Sequence, residues 1–260
     1  SIATGISRIL GYIRDMLVAH TFGAGIFSDA FYAAFRIPNL FRRLLGEGSV
    51  SAAFIPVFTE YLETKTKNET QDLLNIVFTF LITLLLIITL LGIILAKPLT
   101  TIIAFGFVIN PQKLQLAINL TRIMFPYLIF ASLAALMLGV LNSLKSFFLP
   151  AVSPAFLSIS EIVYILLIVN ILFLAENNQI YGLAISVVIG GLLHYLIQQI
   201  NLLKRYKFTI KFQYNFTHSG LKKIILLVVP TMVGFSIDQV NAFVDTVCGS
   251  LLKEGSITAL

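Results

Sequence analysis

The stretch ILGYIRDMLVAH, residues 9–20, sets Arg14 and Asp15 side by side in an otherwise apolar run, with Ser7 and Arg8 just upstream. A second apolar run carries Asp29, Arg36, Arg42, Arg43 and Glu47. A charge at the centre of a membrane helix costs about 2.5–3.5 kcal/mol on insertion scales, so such residues face other helices or water and mark function. At about 100° per residue, Ser7, Arg8, Gly11, Arg14 and Asp15 fall with Thr4 inside an arc of about 120°, and Leu10, Ile13 and Leu17 fall outside it. Asp29, Arg36 and Arg43 align to within about 40°. Pro38 interrupts that phase and leaves open whether Arg42 or Arg43 faces inward. A single pair such as Arg14–Asp15 or Arg8–Asp15 can be an ion pair that only fixes packing. Five arginines against Asp15, Asp29 and Glu47 leave an excess of cations. Buried charge of one sign needs a partner, and here the partner expected is an anion that comes and goes. Arginine suits a phosphate, because its planar fork donates two parallel hydrogen bonds and never deprotonates.

The medium follows from composition. Of 260 residues, 58% are hydrophobic and 12% charged, and the mean hydropathy is +0.94. A soluble domain carries about 25% charged residues, so this composition predicts an integral membrane protein. The fold class expected is all-α, a polytopic helix bundle. Spans are expected at about 2–20, 27–46, 73–95, 114–141, from Pro150 and Pro154 to 174, 180–203 and 221–251, and GSITAL at 255–260 reads as the start of an eighth. Residues 59–72 read as a polar loop and 99–109 as an apolar interfacial segment. Three parts follow: a six-helix lobe over 1–203, a basic cytoplasmic loop over 204–220, and helix 7 with the start of helix 8 over 221–260. The first residue is Ser, so the N-terminus reads as trimmed, and with Arg8, Arg14 and Asp15 breaking the apolar run this start is not expected to be a signal peptide.

Loop charge gives the orientation. With the N-terminus inside, the inner loops hold Arg42, Arg43, Lys65, Lys67, Lys145, Lys204, Arg205, Lys207, Lys211, Lys222 and Lys223, and the outer loops hold Lys97, Lys113 and Lys253. That asymmetry places the N-terminus in the cytoplasm. The net charge of +6 is therefore assigned to loops and anionic lipid, not to nucleic acid. The lone Cys248 permits no internal disulfide. Glu161 reads as a buried polar contact rather than a proton relay, His194 as a packing residue, and Arg122 as a snorkelling one. The tripeptides NET and NFT fall on the inner side and read as chance. Asp238, Asn241 and Asp245 share a stripe beyond Pro230.

SRILGYIRDMLVAHTFGAG, SDAFYAAFRIPNLFRRLLGEGSVSAAFIPVF, FPYLIFASLAALMLGVLNSLKSFFLPAVSPAFLSIS and the QVNAFVD…LLKEGSIT tail resemble the MurJ (MviN) family across the whole chain. That family comprises bacterial lipid II flippases of the multidrug/oligosaccharidyl-lipid/polysaccharide exporter superfamily. The resemblance implies two six-helix lobes about a central cavity plus two further helices, of which this chain is the first lobe, helix 7 and the start of helix 8. It implies that lipid II passes from the inner to the outer leaflet of the inner membrane by alternating access, in a protein that is monomeric at full length and is not an enzyme. Matched motif to motif, Arg8, Arg14 and Arg42 hold the pyrophosphate, with Ser7, Asp29 and Thr258 in the same cavity set. Thr258 stands where relatives often have serine. Read from the charges themselves and not from the resemblance, Asp15, Arg36, Arg43 and Glu47 are expected as ion-pairing or gating residues. Asp245 matches an aspartate that, in some relatives, binds sodium together with second-lobe residues; no other cofactor is implied.

Rival functions make different demands. A drug–cation antiporter of the same superfamily wants an acidic cavity, against the arginine excess. A flippase for another prenyl-pyrophosphate-linked oligosaccharide shares the diphosphate logic and is separated only by the motifs. A membrane enzyme acting on prenyl phosphates needs clustered acids for a metal, or a nucleophile with its base; neither spacing is visible.

Overall fold

The computed structural model describes residues 2–44, 49–169 and 176–258, and every element in them is helical. In chain order these are α1 (Ile2–Phe22), α2 (Ile26–Arg42), α3 (Ser49–Thr64), α4 (Lys67–Ile94), α5 (Ala96–Ile103), a 3₁₀ turn (Phe105–Ile109), α6 (Pro111–Met124), α7 (Tyr127–Ser143), α8 (Phe148–Val152), α9 (Ala155–Val163) continued by a π turn (Tyr164–Val169), α10 (Glu176–Tyr206) and α11 (Ser219–Ser250). Two stretches, Lys67–Ile94 and Asn178–Tyr206, are each long and apolar enough to cross a membrane. The bent pairs Pro111–Met124 with Tyr127–Ser143 and Ser219–Gly234 with Gln239–Ser250 each reach that length together, at 40° and 51°. Pro126 causes the first bend, and Pro230 lies within α11. α1 is long enough, but any 18-residue window in it contains Arg8, Arg14 and Asp15.

Three expectations are corrected here. Residues 59–72 form no loop: α3 runs to Thr64 and α4 starts at Lys67. Thr66 and Glu69 make a reciprocal capping box, Thr66 N to Glu69 Oε2 at 2.9 Å and Glu69 N to Thr66 Oγ1 at 3.3 Å. These residues are polar because the helix ends lie beyond the apolar stretch. Arg42 and Arg43 lie in no inner loop, because Arg42 is the last residue of α2 and the backbone stays helical through Leu44. Lys113 is no loop residue either. It lies in the first turn of α6, after the Asn110 cap and Pro111, and is buried.

The core has two parts. Phe54, Phe58, Leu73, Leu74, Leu136 and Met137 fill the space between α3, α4 and α7. Ala30, Ala34, Ala117, Leu120, Leu183 and Val187 join α2, α6 and α10. Small residues let these backbones approach closely, which in lipid takes the place of a hydrophobic driving force. A Cβ on Gly190 would strike the Leu157 backbone on α9, and one on Gly191 would strike the Tyr127 ring on α7. α10 therefore sits hard against α7 and α9, and α9 in turn packs on α1. That stack carries Glu161 to the polar face of α1.

Candidate functional site

Arg14 leaves α1 between two carboxylates. Its Nε and Nη2 donate to Asp15 Oδ1 at 3.0 and 2.8 Å, and its Nη1 lies 3.6 Å from Glu161 Oε1 on α9. Asp15 is half exposed, whereas Glu161 is only 2% exposed. At 3.6 Å, with the effective dielectric of a protein site, such a pair interacts by about 4–5 kcal/mol before desolvation is charged against it. The cation excess counted along α1 and α2 is thus smaller than it looks, because Glu161 arrives from a helix far along the chain. The signal available in the sequence was a single carboxylate in an apolar helix with no basic neighbour, which must find its partner elsewhere.

Two clefts meet at α2. The first, about 490 Å³, is lined by Arg14, Asp15, Tyr32, Arg36, Asn39 and Thr258, with Tyr12, Met16 and Phe35 as its apolar wall. The second, about 280 Å³, is lined by Arg36, Asn39, Arg43, Gln239, Asp245 and Thr246. Arg36 and Asn39 belong to both, so the clefts adjoin and share one polar wall. Arg36 Nη1 donates to Thr246 Oγ1 on α11 at 2.6 Å. Arg42 Nε donates to Asn39 Oδ1 at 2.8 Å, and Arg42 lines neither cleft. Arg43 lines the second cleft and is exposed. The helical repeat across Pro38 and the family motif thus pick two different arginines, and the structure gives each its own place.

Asp29 heads a separate, buried cluster. Lys113 Nζ donates to its Oδ2 at 2.8 Å, as does Gly255 N at 2.8 Å. Thr258 N and Oγ1 donate to its Oδ1 at 3.0 and 2.7 Å. Lys113 Nζ also sits 4.5 Å from the centre of the Phe107 ring. Asp29 caps the start of the segment that follows α11, and its oxygens are committed to protein donors. Thr258 both joins this cluster and lines the cleft of Arg14, so it links the two. Sequence reasoning missed Lys113 because a lysine beside Asn-Pro reads as a solvated helix start.

The other expected residues scatter. Ser7 Oγ is buried and has no hydrogen-bond partner among the described residues. Arg8 is exposed and lines neither cleft. Glu47 lies outside the described residues, as does the side chain of Asp238. Asp245 is exposed in a cleft that also holds two guanidiniums, and among the described residues no three His, Cys, Asp or Glu side chains gather as a metal site would require.

Residues 18–260 match the family described as lipid II flippase MurJ. The chain is 40% identical over 258 residues to a probable lipid II flippase MurJ from Buchnera aphidicola subsp. Acyrthosiphon pisum, covering 99% of this chain and 50% of that protein. It is 36% identical over 261 residues to the lipid II flippase MurJ of Burkholderia cenocepacia, covering 98% of this chain and 49% of that one. A solved structure, that of a lipid II flippase MurJ in an inward closed conformation, superposes with a TM-score of 0.81 at 28% identity, over 99% of this chain and 52% of its own. The chain spans about half the length of the curated relatives it matches.

Proposed function

The chain belongs to the lipid II flippase MurJ family, and from that premise we propose that it forms the first half of a transporter for lipid II, an undecaprenyl pyrophosphate bearing a disaccharide-pentapeptide. The carrying observation is the row of guanidiniums, Arg14, Arg36 and Arg43, along two adjoining clefts. A diphosphate placed there meets planar donors in a partly desolvated site, where charge-assisted hydrogen bonds are strongest. Asp15 and Glu161 hold Arg14 in place while the cleft is empty, and the diphosphate competes with them for its donors. Arg8, Arg42 and Ser7 extend the polar face of the same two helices. The prenyl chain stays in lipid, and no bond is made or broken.

Orientation and cycle follow from charge and from the Asp29 cluster. Without Arg42, Arg43 and the buried Lys113, the loops and helix ends at one side still hold Lys65, Lys67, Lys145, Lys204, Arg205, Lys207, Lys211, Lys222 and Lys223, against Lys97 and Lys253 at the other. This supports an N-terminus in the cytoplasm of a bacterium and a chain set in its inner membrane. The Asp29–Lys113–Thr258 cluster then lies at the outer end and latches it. The inward closed state named for the structural neighbour is compatible with such a latch. Rocking of this lobe against a second one would open the latch and carry the site from one face to the other.

The test is lipid II translocation by the full-length protein in liposomes. Arg14→Ala should slow it at least tenfold, as expected for losing a charge-assisted bidentate contact of about 1.5–3 kcal/mol. Arg14→Lys should recover little, because the charge survives but the fork does not. Wild-type rates in Arg14→Ala would overturn the reading.

A further inference from the structure

The segment between α10 and α11 is more than a basic connection. Residues 207–217 read KFTIKFQYNFT, with apolar residues at every even position. Lys207 takes a left-handed backbone, φ +60°, which ends α10 and turns the chain back along α4. From there an extended strap is pinned to one stripe of that helix. Thr209 N donates to Gln71 Oε1 at 3.0 Å, Lys211 N to Asn75 Oδ1 at 3.0 Å, and Gln213 N to Thr79 Oγ1 at 2.9 Å. Gln71 Nε2 donates in return to Thr209 O. Residues four apart on a helix rise about 6.0 Å, and residues two apart on a strand about 6.6 Å. The two repeats match closely enough for three successive bonds. Asn75 and Thr79 are both buried, and polar groups in a helix this apolar are costly unless bonded. The strap satisfies them and is held by them.

This pinning fixes which side chains turn outward. Phe208 is buried, but Phe212, Tyr214 and Phe216 are 64%, 73% and 46% exposed. Phe212 rests on Phe78 and Phe216 on Phe80, at 6.1 and 5.8 Å between ring centres. They continue the exposed apolar face that α4 presents farther along at Leu86, Ile87, Leu90 and Leu91. The exposed Lys204, Arg205, Lys207 and Lys211 accompany them. Aromatic rings above a lipid-facing helix, with several cations beside them, match the headgroup level of an anionic leaflet.

We propose that this strap is an anionic-lipid anchor, with Phe212, Tyr214 and Phe216 inserted at the boundary between headgroups and acyl chains and Lys204, Arg205, Lys207 and Lys211 holding acidic headgroups. The occupant is phospholipid rather than protein because the strap is continuous with the lipid-facing side of α4 and carries the complementary charge. The anchor depends on the chain's place in a bilayer and not on the pyrophosphate reading of the clefts.

The chain contains no tryptophan, so Tyr214→Trp in the full-length protein reports locally, read as the difference from the unsubstituted protein. The probe is vesicles of mixed phosphatidylcholine and phosphatidylglycerol in which one or the other is brominated high on the acyl chain. Blue-shifted emission is expected, quenched roughly twofold or more better by brominated phosphatidylglycerol than by brominated phosphatidylcholine at equal mole fraction. Replacing Lys204, Arg205, Lys207 and Lys211 by Gln should bring that ratio to one without abolishing the blue shift. Emission typical of water would overturn the anchor. So would equal quenching in the unsubstituted basic background, or protection from both lipid and aqueous quenchers, the last meaning that protein covers the strap.

Discussion

Asp29→Ala tests the Asp29–Lys113–Thr258 cluster most severely. It removes the acceptor of four contacts: Lys113 Nζ at 2.8 Å, Gly255 N at 2.8 Å, and Thr258 N and Oγ1 at 3.0 and 2.7 Å. It also strands the ammonium of Lys113, which is only 6% exposed. Removing one member of a buried ion pair costs about 3–5 kcal/mol, chiefly because the other is left uncompensated. At about 1.4 kcal/mol per tenfold, the docked population of residues 255–258 should fall by roughly two to four orders of magnitude relative to the undocked one. Hydrogen exchange of the full-length protein in detergent, followed on peptides spanning 251–258, measures this directly. Asp29→Asn should give a smaller rise, since an amide still accepts from Thr258 but no longer neutralises Lys113. Combining Asp29→Leu with Lys113→Met should recover thermal stability, because an apolar pair of similar volume is often neutral in such a place, yet exchange at 255–258 should stay fast. Unchanged exchange at 255–258 in Asp29→Ala would refute the latch.

Other consequences are quicker to check. Glu161→Gln removes the buried carboxylate beside Arg14, so affinity for a soluble pyrophosphate, measured by titration of the full-length protein, should rise severalfold; a fall would mean that Glu161 positions Arg14 rather than competing for it. Gly191→Val should cost about 1–3 kcal/mol through overpacking against Tyr127, seen as a lower unfolding temperature with no effect on ligand selectivity. Asp245 shares its cleft with Arg36 and Arg43, so Asp245→Asn should tighten pyrophosphate binding, and exchanging sodium for potassium should leave transport unchanged. A clear slowing in potassium would place a sodium ion at Asp245 after all.

Much of this arrangement is written locally. The polar arc of α1 follows from helical repeat, so Arg14 and Asp15 share a face whatever surrounds them. The long apolar helices follow from hydropathy alone. What comes from another helix is not legible. Glu161 reaches Arg14 because α9 packs on α1, with α10 drawn close behind α9 at Gly190, and nothing near residue 14 records that. Lys113 meets Asp29 for the same kind of reason. The polar residues of 59–72 suggested a loop because composition measures contact with water, and helix ends that leave the bilayer contact water as loops do. The strap carried a usable signal, the period-two alternation of residues 208–216, but its many cations hid it as an ordinary basic connection.

Contact between the guanidiniums along α1 and α2 and a bound pyrophosphate can be measured directly. Solid-state NMR dephasing between ³¹P of bound lipid II and ¹⁵N of arginine side chains, in the full-length protein in lipid, measures that contact. Phosphorus is expected within about 4 Å of guanidinium nitrogen, the reach of a charge-assisted hydrogen bond, with a clear loss of that dephasing in Arg14→Lys. Bound lipid II with no arginine dephasing, or with dephasing unaffected by Arg14→Lys, would contradict the proposed contact.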